Sequence, residues 1–341
     1  MAPQGAGNEE STRSPHPAGV SVIISTYTPE RWDDLCATVA SVRGQSEAAL
    51  EIVVVVDHNP HLLARIGAAM PDVVAVENQE APGLSGARNS GIAVARGAIM
   101  AFLDDDAVAA PDLLARLARG YDDPQIIGVG GAIEARWPDR RPPWLPQEFD
   151  WVVGCTYRGM PERRAPVRNL IGANMSFRRE VFARVGGFRS GLGRLGTRPL
   201  GCEETELCIR VRQRWPRAVM LYEPLARVQH RVAPHRARWA YFRARCYAEG
   251  LSKALVSRYV GAADGLATER TYTMQTLPGG VRRGVADALR GDPSGCTRTA
   301  AIVAGLAITA AGYLEGRLAH RQHPTGEIGQ WAYSSLAMSL D

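Results

Sequence analysis

From Val20 onward the chain alternates short runs of branched apolar residues with amphipathic segments, and this alternation constrains its fold more than any other feature. VSVIIST, EIVVVVD, VVAV and AIMAFLD read as buried strands, the second almost wholly β-branched. Between them RWDDLCATVASVRGQ, HLLARIGAAM and SGARNSGIAVAR carry helical spacing. Strands that are apolar on both faces and separated by helices predict an α/β fold, with a mostly parallel sheet flanked by helices on both sides. Ligands of such sheets bind at the carboxyl ends of the strands.

Three of those ends are polar. Thr26 and Tyr27 follow the first strand, Asp57 the second, and Asp104, Asp105 and Asp106 the fourth, so they are expected to meet at one edge. Three adjacent carboxylates behind a buried strand repel one another and need water or a cation. The plain reading is a solvated acidic turn, with one Asp capping a helix that starts at Pro111. The functional reading is a hard divalent cation, Mn²⁺ or Mg²⁺, held on carboxylate oxygens beside a diphosphate. A dinucleotide-binding turn is excluded, because GVGG at 128–131 is followed by EARWPDRRPP, which cannot open a phosphate-binding helix. No P-loop is present.

The second part differs in texture. NLIGANMSFRR reads as a strand, REVFARVGGF as a short helix, and SGLGRLGTRPLGC as a Gly-rich loop; a helix then opens with EETELCIRVRQRW. AVMLYE reads as a further strand, which His230 follows in ARVQHRVAPH. Beyond about residue 235 the pattern is helical. The expected divisions are a disordered tail over 1–18, a catalytic domain over 19–235 and a mainly helical region over 236–341. TAAIVAGLAITAAGYL, residues 299–314, is apolar but short of the roughly 20 residues a span needs. It is expected to be buried or to rest on a membrane surface.

The net charge of +5 comes from arginines spread along the chain. It points to phosphorylated small molecules or an anionic membrane surface, and not to nucleic acid. Six scattered cysteines without a C-x-x-C pair, and no export signal before them, place the chain in the cytoplasm, with the inner face of the membrane as a peripheral location.

The run GLSGARNSGIAVARGAIMAFLDDD, residues 83–106, resembles the signature of the family 2 glycosyltransferases of the GT-A fold. In that family a Gly-rich turn, an ARN-x-G helix and a D-x-D strand end follow one another. NLIGANMSFRREVFARVGGF and GCEETELCIRVR are similar to its acceptor-side segments, so the resemblance covers roughly residues 19–250. It implies a Rossmann-like nucleotide-binding half joined to an acceptor half, and inverting transfer of a sugar from a nucleoside diphosphate sugar, UDP by default. Thr26, Tyr27, Asp57, Arg88, Asp104 and Asp105 would serve the nucleotide sugar, with Asp57 on the base. Asp106, Asp104 and His230 would hold the metal, and Asp105, the middle residue, would point elsewhere.

Glu203 or Glu204 would be the general base, with Asn174 and Glu206 on the acceptor side. The family has Asp where this chain has Glu204, one methylene longer. The expected acceptor is a lipid-linked or cell-envelope glycan, or a secondary metabolite. Two other classes stand beside this one. A sugar nucleotidyltransferase would need a Gly-rich basic loop after the first strand, where STYTPER offers none. A non-catalytic scaffold would have no use for both acidic clusters. Homodimer formation is left open by the sequence.

Overall fold

The computed structural model describes residues 19–195, 199–265 and 270–322; the tail expected over 1–18 lies outside them. Four parallel strands come first: β1 (Val20–Thr26), β2 (Glu51–Val56), β3 (Val74–Glu77) and β4 (Ile99–Asp104). Their connections are α1 (Trp32–Arg43), α2 (Pro60–Ala69) and α3 (Leu84–Val94). Then follow β5 (Ala107–Ala109), α4 (Leu113–Arg119), β6 (Ile126–Arg136), β7 (Ala165–Val167), β8 (Asn174–Arg178), α5 (Arg179–Val185), α6 (Glu203–Arg214) and β9 (Val219–Arg231).

The strands form one sheet in the order β3-β2-β1-β4-β8-β6-β9-β5, with β7 against β9. The first four are parallel as expected. Beyond β4 the sheet is mixed, since β8 runs antiparallel to both β4 and β6, and β5 antiparallel to β9. Apolar runs show that a strand is buried but not which way it points, so this half could not be read from spacing.

Period-2 alternation sorts the strand side chains onto two faces. Val22, Ile24, Val54, Val56, Ala101 and Leu103 pack under α1, α2 and α4. Ile23, Val53, Val55, Met100 and Phe102 pack under α3, α5 and α6. Each such buried aliphatic or aromatic side chain contributes about 1.5–3 kcal/mol. On the second face Phe102 meets Phe177, Phe182 and Phe188 edge to face at 5.4–6.4 Å. That aromatic block is a rigid base beneath the β4 terminus.

After β9 the described residues are helical: α7 (Trp239–Val260), α8 (Ala262–Gly265), a π turn at Tyr272–Thr276, α9 (Leu277–Leu289) and α10 (Ser294–Gln322). A separate apolar cluster of Leu145, Phe149, Val152, Phe242, Cys246, Leu277 and Ile302 ties them to the 3₁₀ segment Gln147–Val153. α10 lies on α7 at close range, since Gly250 faces the backbone of Thr309 and Tyr313 and Gly312 faces that of Tyr247. The helix is longer than the apolar run 299–314 suggested: Ser294–Ala319 is long and apolar enough to cross a membrane by length and composition. The added turns at both ends are less apolar and escaped the reading of the central run.

Candidate active site

The β4 terminus is where the expected strand ends converge. In the parallel register Ser25 lies opposite Asp104, and Thr26 opposite Val56, so the ends of β1, β2 and β4 are level. A cavity of about 70 Å³ there is bordered by Thr26, Tyr27, Asp57 and Asp104 to Asp106, together with Arg31, Arg194 and Arg236.

The three aspartates have different surroundings. Asp105 is buried and turned inward, accepting hydrogen bonds from Thr26 Oγ1 at 2.8 Å and Arg31 Nη1 at 2.7 Å. Burial pushes its carboxyl up to about 6, against the pull of Arg31. This is the middle residue expected to point elsewhere. It borders the cavity, but its carboxylate is spent on positioning β1 and Arg31, as is the Thr26 hydroxyl.

Asp106 is also buried, with Oδ2 3.3 Å from Arg31 and Oδ1 3.0 Å from His230 Nε2. Its Oδ1 nevertheless has no aligned hydrogen-bond donor. Asp104 is more open, 31% exposed, with Oδ2 3.9 Å from the same His230 nitrogen.

One ligand atom from each of Asp104, Asp106 and His230 falls within 4.8 Å of the others. Two carboxylate oxygens, one an orphaned buried atom, and an imidazole nitrogen converging on one point form a donor set that fits Mn²⁺ or Mg²⁺. Although burial works against it, the Asp106 carboxylate raises His230 to about 10, a measure of how strongly positive charge is favoured at this point.

His230 lies inside β9 rather than after a strand, opposite Ala107 of β5. Ala226, Val228 and His230 are buried on alternate residues between solvent-facing neighbours, so the histidine occupies a core-facing position of a strand longer than AVMLYE. Gly154, at φ +82°, turns against the imidazole, and a Cβ there would come within 3.3 Å of the ring. Only glycine takes that conformation without strain.

Arg88 crosses from this cluster to the second acidic group. Its guanidinium is 2.7 Å from Glu203 Oε1 and 3.5 Å from Asp104 Oδ1, and donates to the Gly172 carbonyl at 3.2 Å. As placed, Arg88 joins the two halves of the site. Glu203 Oε2 is buried and has no hydrogen-bond partner. Glu204 is half-buried with a long contact of 3.5 Å from Thr205 Oγ1, and burial together with the Glu203 charge pushes it up to about 8.

Both glutamates line a second cavity, of about 230 Å³, which shares Leu84, Asp104 and Arg194 with the first. Asp57 sits at the far end of the first cavity, where Asn78 Nδ2 and the Gly83 amide hold its carboxylate at 2.6 and 2.8 Å.

Two expected acceptor-side residues face elsewhere. Asn174 is fully buried in β8, where its amide donates to the carbonyls of Ala132 and Ala226 at 3.1 and 2.9 Å. Glu206, also fully buried, pairs with Arg210 at 2.8 Å and Arg189 at 3.3 Å. Both are correctly assigned to their elements, yet a helix or strand position does not reveal which neighbour claims the side chain. The larger cavity is lined instead by Phe149, Trp151, Tyr157 and Tyr272, with the cationic Arg168, Arg245 and Lys253. The sequence reading missed these, and missed Arg31, Arg194 and Arg236, because they come from distant segments that carry no motif.

A strand-end D-x-D whose first aspartate shares a cavity with a helix-borne carboxylate pair, on a sheet of this topology, defines a glycosyltransferase of the GT-A fold. The family model for glycosyl transferase family 2 matches residues 21–186. A glucosyl-dolichyl phosphate glucuronosyltransferase of Haloferax volcanii is 36% identical over 241 residues, 70% of this chain and 77% of that protein. A succinoglycan biosynthesis protein, ExoO of Rhizobium meliloti, is 33% identical over 30% of each chain. The fold is shared with a Pyrobaculum calidifontis mannosyltransferase solved with GDP-Man and Mn²⁺, at a TM-score of 0.56 and 18% identity over 88% of both chains. The chain belongs to glycosyl transferase family 2.

Proposed function

We propose that this glycosyltransferase moves a sugar, with inversion, from a nucleoside diphosphate sugar to a hydroxyl of a lipid-linked glycan. The observation that carries the reading is the shared cavity. It brings Asp104, which also lines the strand-end cavity with Asp105 and Asp106, together with Glu204 in one lining, and Arg88 contacts both Asp104 and Glu203.

Glu204 accepts the proton of the acceptor hydroxyl, whose oxygen then attacks the anomeric carbon from the side opposite the diphosphate. The bond from that carbon to the diphosphate oxygen breaks, and the nucleoside diphosphate leaves with the electron pair. Glu203 is paired with Arg88 at the helix N-terminus, where the dipole favours negative charge. Asp104, Asp106 and His230 would hold Mn²⁺ or Mg²⁺, which when bound supplies positive charge to the departing diphosphate. Asp57 and Tyr27 serve the nucleoside, for which UDP is the first candidate.

The acceptor assignment draws on the Haloferax volcanii relative, whose name specifies a dolichyl phosphate-linked sugar. The larger cavity suits that chemistry, since its aromatic wall can stack on sugar and prenyl groups and its arginines can pair with phosphate.

A membrane-surface position follows from α10. Val303, Leu306, Ala307, Ala310, Ala311, Leu314 and Leu318 form one exposed stripe along it, and Leu306 also lines the cavity. Exposed Arg282 on α9, which packs against the first turns of α10, suits an anionic bilayer, while the face of α10 opposite the stripe is covered by α7. We therefore place α10 on the membrane surface, delivering lipid acceptors to the cavity.

The test is calorimetric titration of UDP, GDP and dTDP with and without Mn²⁺, followed by transfer assays onto a prenyl-phosphate-linked glucose. Metal-strengthened binding of one nucleotide and transfer to the lipid-linked sugar are expected. If no nucleotide binds under either condition, the reading fails; if the donor binds but only a water-soluble acceptor is glycosylated, the lipid acceptor falls.

A further inference from the structure

The cavity at the strand ends holds two arginines that no carboxylate among the described residues meets at ion-pair distance. Arg31 is fully engaged by Asp105 and Asp106. Arg236, on the 3₁₀ turn Pro234–Ala237 that follows β9, is only 5% exposed and borders the same cavity. Its Nε has no hydrogen-bond partner, and among the described residues no carboxylate lies within ion-pair distance of it. Its aromatic neighbour is Tyr241, with the ring centroid 6.0 Å away.

Arg194 enters from the loop after α5, held over the first turn of α3. There its carbonyl accepts the Leu84 amide at 3.0 Å, and the carbonyl of Leu192 accepts Ser85 Oγ at 2.7 Å. Its side chain donates to Tyr241 Oη at 3.4 Å and also meets no carboxylate among the described residues.

A buried guanidinium without an acid is costly, because its lost hydration is not replaced. The strain on this group is visible. Burial and the charge of Arg194 draw Arg236 below its ordinary value. Although burial opposes it, Arg194, Arg236 and Arg245 bring the Tyr241 phenol down to about 8. Two guanidinium groups without an ion-pair partner, bordering the same cavity as Asp104 and Asp106, suit an anion that arrives with the substrate.

We propose that Arg194 and Arg236 are the protein's own ligands for the donor's diphosphate, a clamp that engages the anion without the metal cation. The clamp rests on the glycosyltransferase reading and adds to it. When the anomeric carbon–oxygen bond breaks and its electron pair goes to the β-phosphate oxygen, these guanidinium groups donate to the charge that forms. They therefore stabilise the leaving group in addition to any cation. Since Arg236 Nε is unsatisfied without ligand, the clamp exchanges stability of the free protein for affinity toward the diphosphate.

The experiment is titration of inorganic pyrophosphate and of UDP into the full chain in EDTA, for the wild type, Arg236→Met, Arg194→Met and Asp57→Ala. Wild type is expected to bind pyrophosphate without metal, and each arginine variant to weaken it tenfold or more. Asp57→Ala should weaken UDP but leave pyrophosphate unchanged. Arg236→Met should melt at or above the wild-type temperature, because a buried unpaired charge has been removed; if it does not fold, Arg194→Met, altering a half-buried loop residue, decides. Pyrophosphate affinity equal to wild type in the arginine variants would overturn the clamp, as would absence of metal-free pyrophosphate binding in the wild type. In either case UDP binding that still requires Mn²⁺ would leave the glycosyltransferase reading standing.

Discussion

At the end of β4, Asp105 and Asp106 are buried and held from several sides, Asp105 by Thr26 and Arg31 and Asp106 between Arg31 and His230. At the start of α6 the acids are under-supplied. Glu203 has one oxygen bound to Arg88 and the other orphaned, and Glu204 has only a long contact from Thr205. The two groups line adjoining cavities that share Asp104, and they differ in their supply of donors. Asp105 and one oxygen of Asp106 are met by Arg31 or Thr26, whereas Glu204, the proposed proton acceptor, has one long contact and a raised affinity for its proton.

The sharpest way to break this contrast is Asp106→Ala. Removing a ligand from the fixed cluster is expected to lower kcat by about a thousandfold or more, because several kcal/mol of charge stabilisation are lost. Circular dichroism should show the fold retained; near-normal turnover would remove Asp106 from the cation site. Glu204→Gln comes next. It should lower kcat by about 10²- to 10⁴-fold with donor affinity unchanged. If Glu203→Gln had that effect instead, the roles of the two glutamates would be exchanged.

The pH profile sharpens the comparison further. A base must be ionised to act, and Glu204 holds its proton up to about 8. For the free enzyme kcat/KM should therefore rise about tenfold per pH unit below that value and level off above it. A profile already flat at pH 6 would mean that Glu204 is not the base.

The smallest effect on chemistry is expected far from both clusters. Leu314→Glu combined with Leu318→Glu, at positions 62% and 58% exposed, should weaken binding to phosphatidylglycerol-containing vesicles by about tenfold or more. Its hydrolysis of a soluble donor should match wild type. Undiminished co-sedimentation with those vesicles would move the membrane contact away from α10.

The parallel half of the sheet was legible because its strands are nearly continuous apolar runs bounded by helices, a pattern with few other solutions. The convergence of Thr26, Asp57 and the aspartate triplet followed from the same logic. Asp105 was set apart from its neighbours only by the family resemblance; its partners Thr26 and Arg31 come from other segments. His230 was singled out as a candidate ligand but misplaced after a strand, although the alternation of ARVQHR already carried the signal of a continuing strand.

Asn174 and Glu206 were found on the right elements with the wrong surroundings, since their partners Ala132, Ala226, Arg189 and Arg210 are set by packing. Arg194 and Arg236 had no signal at all. They are two among many arginines, distinguished only by what fails to meet them.

By itself the sequence determined the order of strands and helices, the acidic strand end and the acidic helix start, because those depend on short-range periodicity and on residue type. Only the tertiary structure decided which acids are satisfied and which are poised, that Arg88 joins the two groups, and that two arginines without an ion-pair partner among the described residues stand beside them. The reason is physical: the charge state and reach of a side chain depend on burial and on neighbours more than a hundred residues away, as Glu203 is from Arg88, and a local pattern carries no record of them.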